Sequence, residues 1–89
     1  MGDIVFIFLY ENPLDEGTQQ VLTTLKREKI HQITPIRMDS KQRKNRIIYN
    51  QFNINIDTIP CFVVKEFESR TVYPIDNMEG VLTCLQKYL

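Results

Sequence analysis

The chain has 89 residues, enough for one domain over residues 1–89 that buries about 60–65% of its unfolded surface without disulfides. With 43% hydrophobic and 25% charged residues, its composition is that of an ordinary globular protein. Eleven basic residues balance eleven acidic ones, and this net charge of zero predicts no general attraction to nucleic acid or to an anionic membrane surface.

The first part of the chain predicts a buried strand followed by an amphipathic helix. Residues 3–10, DIVFIFLY, form a continuous run of β-branched and aromatic residues, which is typical of a strand covered on both faces. We expect the helix to begin with Asn12 as its N-cap and Pro13 in its first position, with Asp15 placed to reach back. The residues at helical spacing are Leu14, Thr18, Val21, Leu22 and Leu25.

The middle of the chain predicts an edge strand and a second helix. Residues 32–38, QITPIRM, contain Pro35, which has no backbone N–H and is therefore kept to sheet edges. The second helix is expected over residues 40–52, with Ser40 as its N-cap. Its predicted buried residues are Ile47, Ile48 and Phe52.

The last part of the chain predicts a hairpin and a third helix. An apolar strand begins at Pro60 and runs to Lys65, and residues 71–75, TVYPI, form the strand that returns beside it. Asp76 and Glu79 are spaced as in a capping box at the start of the final helix. The apolar stripe of that helix comprises Met78, Val81, Leu82, Leu85, Tyr88 and Leu89.

The resulting order, βαβαββα, predicts an α/β fold with a four-stranded mixed sheet flanked by three helices. With a proline opening the third strand, it resembles the thioredoxin-like fold in the minimal form that glutaredoxins use, over nearly the whole chain. The most specific piece is residues 54–61, INIDTIPC, which is similar to the family's pattern before its cis-proline. The resemblance implies a cis-Pro60 that presents the backbone of Ile59. The alternative is a trans proline that merely begins the strand.

The resemblance also implies a groove between the start of the first helix and the segment of Thr58, Ile59, Pro60 and Cys61. Redox members of the family carry Cys-x-x-Cys or a single Cys at that helix start, where the helix N-terminus lowers the thiol pKa. The matching positions here are Asp15, Glu16, Gly17 and Thr18, and the first 60 residues contain no cysteine. The usual reason to assign oxidoreductase activity is therefore absent, because a fold does not carry a function by itself.

Three other residues are candidates for chemistry. An exposed Cys61 beside the groove could attack a disulfide or bind glutathione, but the simpler interpretation is a small buried hydrophobe. Cys84 lies beside the apolar stripe of the last helix, and a bridge to Cys61 would need Cα atoms within about 7 Å. His31 is the only histidine and lies in a predicted loop, which favours a surface role. No spacing indicates a metal site, and no cofactor is expected.

The charges are unevenly placed along the chain. Residues 26–46 hold eight of the eleven basic residues and two acidic ones, a local charge of +6. The basic residues are Lys26, Arg27, Lys29, Arg37, Lys41, Arg43, Lys44 and Arg46. The simplest interpretation is a solvated face. The alternatives are a docking surface for an acidic protein partner and head-to-tail packing of like subunits. Nucleic acid is not expected as a partner, because stacking aromatics and overall basicity are missing.

The sequence therefore predicts a non-catalytic thioredoxin-fold protein that acts in protein binding or assembly. An abundance of Ile, Asn and Lys, typical of an AT-rich genome, suggests a small structural component of a larger particle such as a large DNA virus capsid. The alternatives are a single-cysteine thiol oxidoreductase or glutathione-binding protein using Cys61, and a dimer bridged by Cys61 or Cys84. We expect a cytosolic or nuclear protein, or one packaged in a virion, and not a secreted or membrane-bound one.

Overall fold

The structure is a computed structural model that describes residues 3–38, 43–52, 54 and 56–89. Over these residues the chain forms four strands and three α-helices. In chain order they are β1 (Ile4–Tyr10), α1 (Glu16–Arg27), β2 (Ile33–Arg37), α2 (Arg43–Phe52), β3 (Cys61–Glu66), β4 (Ser69–Pro74) and α3 (Met78–Gln86). Short 3₁₀ turns, Ile56–Thr58 and Ile75–Asn77, precede β3 and α3. The predicted α/β class, with a four-stranded mixed sheet and three helices, is confirmed.

Strand β1 lies inside the sheet, in which the strand order is β2-β1-β3-β4. It pairs in parallel with β2 and antiparallel with β3, and β3 pairs antiparallel with β4. A strand with neighbours on both sides and helices over both faces must be apolar throughout, and β1 is buried from Phe6 to Leu9. Strand β2, which contains Pro35, forms one edge of the sheet, and β4 forms the other.

The sheet buries an apolar layer on each face, because successive side chains of a strand point to opposite sides. Phe6 and Phe8 face α1 and α3, and Ile7 and Leu9 face the side that carries α2. The rings of Phe8 and Phe62 are fully buried with centroids 4.9 Å apart. The large core comprises Phe6, Phe8, Val21, Leu25, Ile33, Phe62, Val64, Val81, Cys84 and Leu85. The small core comprises Ile7, Leu9, Met38, Ile54, Cys61 and Val63.

Helix α1 begins later than the sequence predicts. Its N-cap is Asp15, whose carboxylate accepts hydrogen bonds from the backbone N–H (3.2 Å) and the hydroxyl (3.3 Å) of Thr18. Asn12 instead accepts a hydrogen bond from the N–H of Leu14 at 3.0 Å and closes a turn ahead of the helix. The predicted cap at Asn12 is therefore wrong. Leu14 lies in that turn and is 77% exposed, so it does not belong to the buried stripe.

Helix α2 departs from prediction in its buried face. Ile48 is half-buried against the small core, whereas Ile47 is 61% exposed. Neighbouring residues of a helix point about 100° apart, so only one of the two can face the sheet. The predicted burial of Ile47 is therefore wrong. The predicted N-cap Ser40 and the side chain of Phe52 lie outside the described residues.

Helix α3 is capped by Asn77, whose side-chain oxygen accepts a hydrogen bond from the N–H of Gly80 at 3.3 Å. The predicted capping pair of Asp76 and Glu79 is wrong, because the 3₁₀ turn before the helix leads directly into it and moves the cap by one residue. Along the predicted stripe, Val81 and Leu85 are buried, Met78, Leu82 and Tyr88 are half-buried, and Leu89 is 76% exposed.

Candidate functional site

The predicted groove residues lie at one end of the sheet, where the C-terminal ends of β1, β2 and β4 meet the start of β3. Leu9 of β1 is paired with Cys61, and Cys61 is paired with Pro74 of β4. The loop that leads into α1 therefore leaves the sheet beside the segment that leads into β3. We call this region the groove end and define it as residues 11–18, 56–61 and 74–76.

The four positions that resemble the family's Cys-x-x-Cys site form an ordinary helix start. Asp15 is the N-cap, and the Thr18 side chain that it holds is only 1% exposed. Glu16 is exposed in the first turn, where the helix dipole favours a carboxylate. Gly17 lies so close to Ile75 that a Cβ atom at position 17 would stand 2.5 Å from the Ile75 Cδ1 atom. These residues begin the helix and anchor it.

The segment before β3 provides the other side of the groove end. The peptide bond between Ile59 and Pro60 is cis. Both residues are half-buried, and Ile59 packs against the small core. Thr58 is exposed. The accessible surface of residues 58–60 therefore combines apolar side chains with one hydroxyl.

Cys61 is fully buried in the small core, together with Leu9, Met38 and Val63. Burial raises the pKa of its thiol to about 11, because a thiolate at this position would lose its hydration. Very little thiolate exists at neutral pH, and Cys61 is 0% exposed. Both facts favour the interpretation of Cys61 as a small buried hydrophobe.

Cys84 lies in the large core, on the opposite face of the sheet from Cys61, and both thiols are free. Its Sγ donates a hydrogen bond to Glu66 Oε1 at 3.2 Å, and the Tyr88 hydroxyl donates to the other oxygen of the same carboxylate. The pKa of the Cys84 thiol is raised, first by burial and then by the bond to Glu66. The two cysteines form no bridge because they belong to separate cores.

The described cations of residues 26–46 are exposed but lie in different parts of the fold. They are Lys26, Arg27, Lys29, Arg37 and Arg46. Lys26 and Arg27 end α1, and Lys29 follows after Glu28, away from the groove end. Arg37 ends β2 beside the groove end, where its Nε donates a hydrogen bond to the backbone oxygen of Glu11 at 3.3 Å. Lys41 and the side chains of Arg43 and Lys44 lie outside the described residues.

Two features go beyond the prediction from the sequence, one at the groove end and one at the opposite end of the sheet. The sequence places the acidic residues Glu11, Asp15 and Glu16 on one rim, and the structure adds the exposed carboxylates of Asp57 and Asp76 at the groove end. Asp57 and Asp76 lie in the 3₁₀ turns before β3 and α3, which the sheet order brings to the same end of the sheet. The second feature is the Glu66–Cys84–Tyr88 cluster. The sequence gives no indication of this cluster except that Cys84 and Tyr88 are four residues apart, which is the spacing of one helix face.

His31 is exposed in the loop between α1 and β2. Within the described ranges, no group of three or more His, Cys, Asp and Glu side chains is placed to hold a metal ion. None of the helices in the described part of the chain is long and apolar enough to cross a membrane. Comparisons with protein-family models, with curated proteins and with solved structures find no match to this chain.

Proposed function

We propose that the chain is a thioredoxin-like domain that works by binding other proteins or assembling with them, and not by thiol chemistry. The element order βαβαββα and the strand order β2-β1-β3-β4 support the fold assignment. The placement of Pro60 directly before β3, after a cis peptide bond, supports it further. The element order is what the resemblance rests on, and a cis-proline is what the similarity of residues 54–61 implies.

The observation that carries the functional proposal is the absence of a usable nucleophile among the described residues of the groove end. Asp15 occupies the helix start, and its carboxylate accepts the hydrogen bond of the Thr18 N–H. In a redox member of the family, a free N–H group at this place helps to stabilise the thiolate. The Thr18 hydroxyl is buried and already bonded to Asp15. Cys61 is the nearest thiol in sequence, and it is buried with a raised pKa.

The groove end nevertheless has the character of a contact surface. Leu14 is 77% exposed, and the half-buried Ile59 and Pro60 add apolar area at the same end of the sheet. The carboxylates described above border this apolar area. Apolar surface rimmed by polar side chains is typical of protein interaction sites. The capsid setting and the location in the cytosol, nucleus or virion stay predictions from composition.

The competing function is a thiol oxidoreductase or glutathione-binding protein that uses Cys61, and thiol titration distinguishes the two. We would measure the rate of reaction with a thiol reagent across pH in the native protein. Cys61→Ala and Cys84→Ser identify the reacting thiol. Alanine keeps position 61 apolar, and serine at position 84 keeps a donor for Glu66.

Both thiols are expected to stay silent at neutral pH in the native protein and to react at once after unfolding. The Cys61 signal should emerge only as the pH approaches its pKa of about 11. Fast reaction of Cys61 below neutral pH would contradict the proposal and would support a thiol oxidoreductase or glutathione-binding protein instead. A non-reducing gel of the same samples tests the bridged dimer, which we expect to be absent.

A further inference from the structure

The two edges of the sheet differ in how they are protected. Strand β2 carries Pro35 and ends in Arg37, two devices that discourage pairing with another chain. Strand β4 is exposed at five of its six positions and has no proline before its last residue, Pro74. Its central residues Thr71, Val72 and Tyr73 all favour strands. An edge of this kind is a template for strand addition.

The free backbone groups of this edge can be assigned. Phe67 and Glu68 alone connect β3 to β4, so Glu66 and Ser69 form the closing hydrogen-bonded pair of the hairpin. Because bonded and non-bonded pairs alternate, every second residue from Ser69 onward turns its N–H and C=O groups toward β3. Arg70 and Val72 therefore turn theirs away from the sheet.

Pro74 agrees with this assignment. In the same alternation its nitrogen faces outward, where a proline leaves no ladder hydrogen bond unmade. The open edge thus ends at Pro74 and consists of the donors and acceptors of two residues, Arg70 and Val72. In an antiparallel pair of strands, hydrogen-bonded residues recur at every second position. Arg70 and Val72 can therefore both bond to the same partner strand.

Two apolar side chains of this hairpin are exposed in the single chain, one at its tip and one in the middle of β4. Phe67, at the tip of the hairpin, is 59% exposed, and Val72 is 38% exposed. Phe67 also has a φ of 56°, a left-handed conformation that is costly for a bulky residue. The two-residue turn requires a positive φ at its first position, and the Phe67 N–H donates to the Asp3 backbone oxygen at 2.7 Å, so the hairpin itself holds the ring in solvent. An aromatic ring fixed in solvent is apolar surface available for a contact.

We propose that β4 pairs with β4 of a second copy, antiparallel and about a two-fold axis through Thr71. In this register Arg70 of each copy exchanges hydrogen bonds with Val72 of the other, which uses all four outward groups of each chain. Thr71 faces Thr71 of the partner copy. The hairpin tip with Phe67 meets the exposed Pro74 end of the opposite strand, because antiparallel pairing brings the two ends together.

A second copy fits this edge better than an unrelated strand for two reasons. The edge is complementary to itself, both in its backbone groups and in the apolar residues at its two ends. Pairing about a two-fold axis also closes, which removes the exposed edge and continues the sheet into β3 and β1 of the partner copy. The interface shares only Pro74 with the groove end and contains neither cysteine, so thiol titration does not bear on it.

The first test is a cysteine at the axis. Thr71 and its symmetry mate form a non-hydrogen-bonded pair with Cα atoms about 4.5 Å apart, within the range that a disulfide spans. Thr71→Cys is expected to form a covalent dimer under mild oxidation. Ser69→Cys is the matched control on the same face of β4, and it should cross-link poorly because position 69 is not opposite itself. The wild type should not cross-link, since its two cysteines are buried.

The second test removes one outward donor. Val72→Pro deletes an N–H that faces away from β3, so the hairpin keeps its own ladder. Its dimer dissociation constant is expected to rise by about tenfold or more, since two symmetry-related hydrogen bonds are lost. Val72→Thr keeps the N–H and serves as the control. Sedimentation over protein concentrations from about 1 μM to about 1 mM gives both constants, and circular dichroism checks the fold.

The third variant separates strain from contact. Phe67→Asn suits the left-handed conformation, so the dilute protein should melt at a higher temperature while the dimer becomes weaker. A wild type that stays monomeric at the highest concentration would overturn the proposal and leave the edge to another partner. Equal cross-linking of Thr71→Cys and Ser69→Cys, or a dimer unaffected by a folded Val72→Pro variant, would also overturn it.

Discussion

Glu66, at the end of β3, holds two side chains of α3 and the residues that follow it. The Cys84 thiol donates to one carboxylate oxygen at 3.2 Å, and the Tyr88 hydroxyl donates to the other. The Tyr88 ring packs edge-on against Phe6, with centroids 6.3 Å apart. The pKa of Glu66 is lowered, first by the Tyr88 hydrogen bond and then by Cys84. One carboxylate therefore fastens the chain end to the central sheet.

Replacing Glu66 with Gln should make the free energy of unfolding less dependent on pH in the acid range. A carboxylate whose pKa is lowered by folding contributes stability above its ordinary pKa, here 4.5, and the contribution is lost as the pH falls through the folded pKa. The difference in free energy of unfolding between wild type and Glu66→Gln should be constant near neutral pH. It should shrink toward zero as the pH falls below 4.5. Urea unfolding at several pH values measures this difference. A difference that does not change with pH would contradict the lowered pKa of Glu66.

Tyr88 should ionise late and depend on Glu66. Its hydrogen bond to the carboxylate, followed by burial, raises the pKa of the phenol from 10.0 to about 12. Ultraviolet titration of the wild type should show a phenolate step near pH 12 that disappears in Tyr88→Phe. In Glu66→Gln the step should move down toward pH 10.0, because the acceptor charge is gone. A late step that survives in Tyr88→Phe would assign it to another tyrosine.

At the scale of elements, the start of α1 offers a direct comparison of two candidate caps. Asp15→Ala removes the side chain that bonds Thr18 and should lower the free energy of unfolding by about 1 kcal/mol. Asn12→Ala removes only a turn contact outside the helix and should cost clearly less. Chemical denaturation of both variants decides between them. A larger loss in Asn12→Ala would move the cap back to the position that the sequence favours.

The contact between Gly17 of α1 and Ile75, in the turn before α3, should make Gly17→Ala destabilising, although glycine to alanine usually stabilises a helix. Gly17→Ala improves helix propensity by about 1 kcal/mol. In the wild type its new Cβ atom would stand 2.5 Å from the Ile75 Cδ1 atom, so we expect a net loss of stability. Ile75→Val removes that Cδ1 atom, and in its background Gly17→Ala should stabilise the protein. A double-mutant cycle measures the coupling, and additive effects would contradict the contact.

Element types and order could be predicted because local residues determine them. The apolar run of β1 and Pro35 in β2 mark an internal strand and an edge strand without any knowledge of their neighbours. The helix starts were displaced because Asn12 and Asp15, like Asp76 and Asn77, are all good caps, and the choice between them depends on the turn that precedes each helix.

The groove end could be predicted only in part. Its sequence positions followed from the resemblance, and burial was already the simpler interpretation of Cys61. The residues that cover Cys61, among them Met38 from beyond β2, could not be named from the sequence because they depend on the tertiary packing of the small core. The outward-facing groups of β4 depend on the length of the hairpin loop, and the prediction that began this strand at residue 71 made that loop too long.

At the scale of the whole molecule, the large core should dominate stability. Phe8 is fully buried and packs against Phe62 with ring centroids 4.9 Å apart. Phe8→Ala is expected to cost about 3–5 kcal/mol. Domains are stable by about 5–15 kcal/mol, so this variant should lose a large part of its free energy of unfolding, which urea unfolding measures. Leu14→Ala, at an exposed position, is the control and should be near neutral. Similar losses in both variants would contradict the described packing.

The inner position of β1 has a consequence for biosynthesis. This strand is made before either of its neighbours, and β3, which covers its second edge, follows only after both α1 and α2. Until then the uncharged run from Ile4 to Leu9 has an open edge and can associate with other nascent chains. We therefore expect the yield of native protein to depend on how soon β3 becomes available to cover β1, as well as on the stability of the finished domain.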